Sequence, residues 1–413
     1  MIRIVRALAL TVPLVAAPAV AGPKDTAEPE DMDIEGVAGK RLPELDGVQG
    51  AAAAKQAEAA LVKRGAEALG LPEDYVRRTR VGFGKVFERD YKGARQHFVK
   101  LDQDHPGTGI SGSVDALVWQ ALMLENFDFR YDRQYEVANK KALDDLKVAL
   151  QSPEHQGWEH FQMAGLMGVE AIHMVRHGTY LPALNRAFEA MDHVQSAREA
   201  APGFTDLDIA DGMYNYWRTV VTMSTKYLPD FGDNRALGIR QIQNVQENGI
   251  FLSDPATLAL AFTWLEERKY SQAVTACRRN AARYPDNVIN NLLLGQALLY
   301  QRQYDDSIAV FKKIQAISPE NNRVHYYLGL ATLRKGDARQ AIQHLERYLA
   351  SDHLEGWQKA SGHYRLGQAH YRLKAYKSAE YHYKLAVKET GHKASKRAID
   401  RMQDLRKQGR IDY

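Results

Sequence analysis

Residues 288–321 read VINNLLLGQALLYQRQYDDSIAVFKKIQAISPEN. These 34 residues hold one complete pattern: an apolar stretch containing Leu294-Gly295, a polar break at Gln301-Arg302-Gln303, and an amphipathic stretch that opens at Tyr304 and stops at Pro319. The apolar spacing in each half is helical, and the polar break between them reads as a turn. Proline ends the second helix because it lacks the N–H that would continue the hydrogen-bond ladder. The Leu-Gly pair returns 34 residues on as Leu328-Gly329, and again, offset, as Leu366-Gly367. A period near 34 residues predicts stacked helical hairpins rather than a globule built around a catalytic pocket.

Other offsets repeat with it. Tyr270, Tyr304, Ala338 and Tyr376 open the second helix of successive hairpins at spacings of 34, 34 and 38. Three residues after each stand Ala273, Ser307, Ala341 and Ala379, small side chains where paired helices must approach closely. The glycines do the same on the first helix, at a cost in helix propensity near ~1 kcal/mol each that close packing must offset. Asp254-Pro255 reads as the start of the first hairpin, with aspartate as N-cap and proline in the first helical position. Four additional residues near 355–359 predict a longer first helix, or a longer loop before it, in the last copy. Upstream, Val81-Gly82, Tyr91, Ala94, Phe98 and Pro106 keep the offsets of Leu294-Gly295, Tyr304, Ser307, Phe311 and Pro319. The expected fold is all-α, an α-solenoid with an irregular N-terminal half: divergent hairpins over 51–253, regular repeats over 254–391, and a basic capping helix and tail over 392–413. Within the irregular half, residues 160–177 should pair with 181–200, and residues 208–227 with 235–247.

This combination resembles the tetratricopeptide repeat family. Residues 288–321 match the family's Leu-Gly, Tyr, Ala, aromatic and Pro pattern best, through Leu294, Gly295, Tyr304, Phe311 and Pro319. The copy from Asn322 departs from it, with Ala338 for the tyrosine and His353 where proline would fall. The copy from Asp254 has Trp264 but shows Leu260-Ala261 in place of Leu-Gly. The resemblance implies a concave groove lined by the first helices. Carried over position by position, its peptide-binding face is Gln296 and Tyr300, then Arg323, Tyr326 and Arg334, then Tyr364, Gln368, Tyr371 and Arg372. Tyrosine and arginine are enriched in binding hot spots, and this set suits an extended or helical peptide of acidic or aromatic character. The Lys/Asn clamp that some relatives use for a chaperone's C-terminal carboxylate is not reproduced, because Leu293 and Tyr327 stand where it needs polar groups.

The bulk properties narrow the classes further. The 55 basic and 51 acidic residues among 413 give +4, too near neutral to indicate a nucleic-acid partner. Residues 1–21 read as a signal peptide: Arg3 and Arg6, a short apolar run from Ala7 to Val15, and the small-x-small site Ala19-Val20-Ala21. Residues 22–50 carry eight acidic and three basic side chains with prolines at 23, 29 and 43, the composition of a disordered tether. No later run is long enough to span a bilayer. The expected location is periplasmic or secreted, with no integral span after signal cleavage. Cys277 is the only cysteine, so no internal disulfide is possible.

Chemistry finds little support. Glu170 and His173 lie one helical turn apart and His177 follows on the same face, but no second Glu-x-x-His pair and no His-Glu-x-x-His motif accompany them. Their simplest reading is a polar stripe on an amphipathic helix. Asp206, Asp208 and Asp211 lack the glycine and glutamate of a calcium loop and read as acids at a helix N-terminus. No nucleophile elbow or phosphate loop occurs. The expectation is therefore a non-enzyme without metal or cofactor: an exported scaffold or adaptor that grips a protein partner of the cell envelope through its groove. An alternative is a lipid- or small-molecule-binding repeat protein of an envelope transport system, with the aromatic segment 213–217 lining a lumen.

Overall fold

The computed structural model describes residues 47–223 and 232–413, which hold eighteen α-helices, one 3-10 turn and, among the described residues, no strand. The expected signal peptide and most of the acidic tether lie outside the described residues. Helix α1 (Gly47–Leu69) is followed by the hairpins α2 (Glu73–Phe87) with α3 (Tyr91–Asp104), and α4 (Ser111–Asn126) with α5 (Asp132–Ala149). The longer units are α6 (Gln156–Arg176) with α7 (Tyr180–Ala200), and α8 (Asp208–Met223) with α9 (Arg235–Asn248). Four regular hairpins follow: α10 (Ser253–Glu266) with α11 (Tyr270–Arg283), α12 (Val288–Tyr300) with α13 (Tyr304–Ile317), α14 (Arg323–Lys335) with α15 (Ala338–Leu349), and α16 (Gly356–Arg372) with α17 (Tyr376–Thr390). Helix α18 (Lys393–Lys407) closes the array. No helix among the described residues is long and apolar enough to cross a membrane.

The Leu-Gly signature has one physical cause throughout. A Cβ on Gly295 would lie 2.5 Å from the Phe311 ring, on Gly329 2.6 Å from Leu345, on Gly367 2.4 Å from Tyr383, and on Gly82 2.4 Å from Phe98. Each glycine is thus the hole for a large side chain sixteen residues later on the paired helix. The upstream copy at Gly82 obeys the same rule, so α2 and α3 form a repeat hairpin. The small residue of the second helix makes its own contribution in the clearest copy, where Ser307 Oγ donates to the Gly295 carbonyl at 2.7 Å.

Three local expectations need correction or completion. The N-cap of α10 is Leu252, so Asp254 and Pro255 lie inside the first turn. Proline is tolerated there because its nitrogen needs no partner, and the Asp254 carboxylate instead accepts from Arg283 Nη1 at 2.7 Å and Tyr284 OH at 2.8 Å. The additional residues of the last copy extend its first helix, since α16 has 17 residues against 13 in α12 and α14. Asp206 is no helix-terminal acid of the ordinary kind. Fully buried, it accepts from the backbone N–H groups of Ile250, Phe251 and Leu252 at 2.6, 2.7 and 2.6 Å and fixes the entry to α10. Asp208 and Asp211 pair with Arg198.

The irregular half does not extend away from the repeats; it docks on them. One apolar core runs from Val62 to Leu298. Three amides then latch the ends of the early first helices onto the starts of the later ones. Asn287 Nδ2 donates to the Phe87 carbonyl at 3.0 Å, Asn321 Nδ2 to the Glu125 carbonyl at 3.0 Å, and Gln358 Nε2 to the Phe127 carbonyl at 3.2 Å. Aromatic contacts accompany them, Phe87 with Tyr284 at 5.3 Å between ring centres and Phe127 with Trp357 at 5.6 Å. Each amide satisfies a carbonyl that a helix end leaves without an intrahelical partner.

Candidate functional site

This docking decides which of the expected groove residues remain accessible. In α12 twelve of thirteen residues are buried, in α14 ten of thirteen, and in α16 only seven of seventeen. A groove-lining helix needs an exposed stripe, and α12 has none. Gln296, 1 % exposed, and Tyr326, 7 % exposed, therefore cannot meet a partner, which corrects their expected placement. Gln296 Nε2 turns back onto the Leu292 carbonyl at 3.0 Å, and Tyr326 packs among Tyr327 and Tyr348. Arg323 is half-buried and occupied within the chain, its guanidinium 4.9 Å from the centre of the Phe127 ring. Tyr364 and Tyr371 pack against the cluster shared by α17 and α18, so the capping helix covers part of the last first helix.

The residues that remain lie along one edge, where each first helix meets its turn. Tyr300 ends α12, Arg334 is next to last in α14, and Tyr371 and Arg372 end α16. Tyr270 stacks on Tyr300 at 5.4 Å, and Arg334 reaches to 5.5 Å from the centre of the same ring. Arg372, an exposed residue, donates to the Leu333 carbonyl of the preceding repeat. Tyr371 meets Tyr376 edge to face at 5.5 Å. Gln368, half-buried beside them, donates to Tyr364 OH at 3.1 Å. Burial raises the Tyr300 hydroxyl well above its ordinary value and keeps it neutral.

The turns add positive charge that sequence reasoning missed. Arg302 and Lys374 hold the left-handed conformation, φ 63° and 59°, at the position that Gly336 fills in the intervening repeat. Such a position favours glycine, and here it carries exposed basic side chains beside Lys335 and Arg372. Lys335 pairs with Asp305. The result is a tyrosine and arginine row with a basic border, at the turn edge rather than in the depth of a groove.

The interior is packed with rings. Met213, Tyr216 and Trp217, expected as the wall of a lumen in the alternative reading, are buried, and Trp217 lies 5.4 Å from Phe262. Gly212 and Gly238 let α8 and α9 cross so closely that a Cβ on Gly238 would stand 2.4 Å from the Gly212 carbonyl. A cavity of ≈ 20 Å³ lies among Phe83, Ile110, Val114, Trp158, Phe161 and Gln162. That holds about one water, whereas small-molecule sites occupy at least ~300 Å³.

A second cluster sits at the far end of the long hairpins. His173, in the last turn of α6, and His177, its C-cap, share one face as expected, but the third member is Asp132, the first residue of α5, which no sequence spacing connects to them. Glu170 is drawn off the other way, to Asn139 at 3.2 Å and Arg186 at 3.1 Å. His173 Nε2 stands 2.7 Å from Asp132 Oδ1, and His177 Nε2 stands 3.1 Å from Asp132 Oδ2. His173 is 4 % exposed, and neither of its ring nitrogens has a hydrogen bond of acceptable angle. Burial is the main force that pushes its pKa down to about 4, so the ring is neutral near pH 7. Phe129 stacks on His177 at 4.0 Å.

Comparison with known proteins bears on the regular hairpins. The tetratricopeptide repeat family matches residues 258–322, 292–355 and 326–394, windows that start one repeat apart. Together these windows cover residues 258–394, about a third of the chain. Repeats of this family are protein-interaction scaffolds, which is the broad role the match supports. No curated protein matches the chain in sequence. Similar solved structures include MamA from Desulfovibrio magneticus RS-1, 19 % identical over 41 % of this chain and 87 % of that one, with a TM-score of 0.33. Human IFIT1, solved as a dimer with m7Gppp-AAAA, is 11 % identical over 85 % of this chain and 87 % of that one, with a TM-score of 0.46. The P58(IPK) tetratricopeptide domain is 12 % identical over 82 % and 100 %, with a TM-score of 0.26.

Proposed function

We propose that the chain is a non-catalytic scaffold, exported to an envelope compartment, that holds an acidic or aromatic segment of a protein partner along the turn edge of its repeats. One observation carries this reading: Tyr300, Arg334, Tyr371 and Arg372 lie at the ends of successive first helices, Arg372 exposed and the other three half-buried, where the deeper groove positions Gln296 and Tyr326 are buried. Tyrosine and arginine give contact area, hydrogen bonds and cation–π attraction. The basic border from Arg302, Lys335 and Lys374 favours acidic segments and speeds their encounter. Export is supported by Arg3 and Arg6, the apolar run after them and Ala19-Val20-Ala21.

The test is binding by the full chain with its edge altered. A pull-down from envelope extract should recover a partner with the native chain and lose it with the Arg334→Ala/Arg372→Ala double variant. Recovery of the same partner at equal yield by both would refute the edge. Cell fractionation that finds the chain in the cytoplasm would refute export.

A further inference from the structure

We propose that Asp132, His173 and His177 bind one divalent transition ion of the zinc class at the base of the loop that latches the early hairpins onto the repeats. This rests on a different part of the molecule from the partner-binding edge and stands or falls without it. The donor set is two imidazoles and one carboxylate, whose ligand atoms lie within 4.8 Å of one another. His173 lies in the last turn of α6 and His177, four residues on, is its C-cap in helical conformation, so both rings lie on one face. Their rings meet at 73° with centres 4.7 Å apart, and both Nε2 atoms stand beside the Asp132 carboxylate.

The spacing suits an ion pair, with His177 Nε2 also 3.2 Å from Asp132 Oδ1, and it is close to what a shared metal requires. Bonds of about 2.1 Å to nitrogen and oxygen hold adjacent ligand atoms roughly 3 to 3.4 Å apart. His177 Nε2 to Asp132 Oδ2, at 3.1 Å, is already at that separation, and His173 Nε2 to Asp132 Oδ1, at 2.7 Å, needs to open by a few tenths of an ångström. His173 is buried beside a carboxylate and yet makes no hydrogen bond of acceptable angle to it. An ion between the nitrogen and the carboxylate would give this buried, unpartnered ring its ligand. Arg176, the cation between the two histidines in sequence, points elsewhere: its Nη2 donates to the Asp128 carbonyl at 2.8 Å, and its guanidinium lies 4.5 Å from the Phe129 ring centre.

Imidazole with carboxylate selects zinc-class ions over calcium or magnesium, which take oxygen ligands. His177 lies at the surface, so water fills the remaining coordination positions. The ion would tie the start of α5 to the end of α6, directly under residues 127–131. That loop carries the Phe127 carbonyl held by Gln358 and the Phe127 ring that meets Trp357 and Arg323. Metal binding is thereby coupled to the docking of the two halves.

The experiment is calorimetric titration of Zn²⁺ into the full chain after treatment with chelator, with hydrogen exchange measured before and after loading. The expected result is one ion per chain with a Kd in the micromolar range or tighter, and slower exchange over 127–131 on loading. His177→Ala and Asp132→Asn should each weaken binding at least ~10-fold while leaving the circular dichroism of the metal-free chain unchanged. His363→Ala, which alters the separate histidine cluster of His363, His370 and His382, should bind as the native chain does. No saturable binding would overturn the proposal. So would stoichiometric binding that survives His177→Ala and Asp132→Asn, or that disappears only with His363→Ala. Loading that leaves exchange over 127–131 unchanged would overturn the coupling to docking.

Discussion

Replacing Gly295 with alanine sets two known effects against each other. Alanine gains about 1 kcal/mol over glycine in a helix interior. Against that, the new Cβ would stand 2.5 Å from the Phe311 ring, far inside contact distance. Phe311 is fully buried and its ring is stacked on Tyr327 at 5.2 Å and 10°, so it cannot swing aside without displacing a second ring. Overpacking of this kind typically costs about 1–3 kcal/mol. The propensity gain is already outweighed at the middle of that range, and a net loss of about 1 kcal/mol is expected. Urea denaturation followed by circular dichroism should show a lower midpoint at unchanged slope. Cys277, fully buried and with its thiol pushed up by burial, supplies a second readout, because it should react with thiol reagents only on opening. Phe311→Leu in the same chain should relieve the clash, so the double variant should lose less than the two single losses added. A Gly295→Ala chain as stable as the native one, or more stable, would refute the knob-and-hole account of the Leu-Gly motif.

Three further outcomes follow from the structure. Asp206→Ala strips three buried backbone N–H groups of their acceptor and should cost about 3 kcal/mol or more, measured as the same midpoint shift; a loss under about 1 kcal/mol would contradict the capping role. Asn321→Ala leaves the Glu125 carbonyl without its latch; faster hydrogen exchange over 127–131 is expected, and exchange unchanged there would show that the halves are held without it. The histidine pairs His325 with His344 and His363 with His382 predict acid sensitivity. Burial, with Arg347 and His344 beside it, pushes His325 down from 6.5 to about 4, and burial with His363 and His370 does the same to His382. The unfolded chain therefore takes up protons that the folded chain refuses between pH 6.5 and 4, so stability is intact above that window and falls as pH drops through it. Each tenfold loss of proton affinity on folding is worth about 1.4 kcal/mol, so His325 alone would withdraw about 3 kcal/mol by the bottom of that window. His325→Asn should flatten this dependence, and an unchanged pH profile would refute the assignment.

The repeat architecture was legible because its cause is local. Gly295 and Phe311 belong to one hairpin, sixteen residues apart, and the same pair could be read at Gly82 and Phe98. The four additional residues of the last copy were likewise visible, but only the structure decides that they lengthen α16 rather than the loop before it. What could not be read were contacts between distant segments. Asn287, Asn321 and Gln358 look like ordinary helix-start residues, and nothing near them in sequence indicates carbonyls some two hundred residues earlier. That docking buries Gln296 and Tyr326 and moves the accessible row to the turn edge. Asp132 shows the same limit, since only the packing of α5 on α6 brings it to His173 and His177. Tyr300, Arg334, Tyr371 and Arg372 could be aligned from sequence because equivalent positions in successive repeats lie in line. The basic residues of the turns were missed because left-handed positions are ordinarily expected to hold glycine.

The central claim is that the turn edge of the repeats is where a partner sits. A photo-cross-linking residue placed at position 372, on that edge, or at position 381, an exposed site on the outer helix α17, tests it in cells that make the full chain. The expected result is one discrete cross-linked protein from position 372, none from 381, and loss of the product when Arg334 is also changed to alanine. A discrete product from position 381 with none from 372 would contradict the claim.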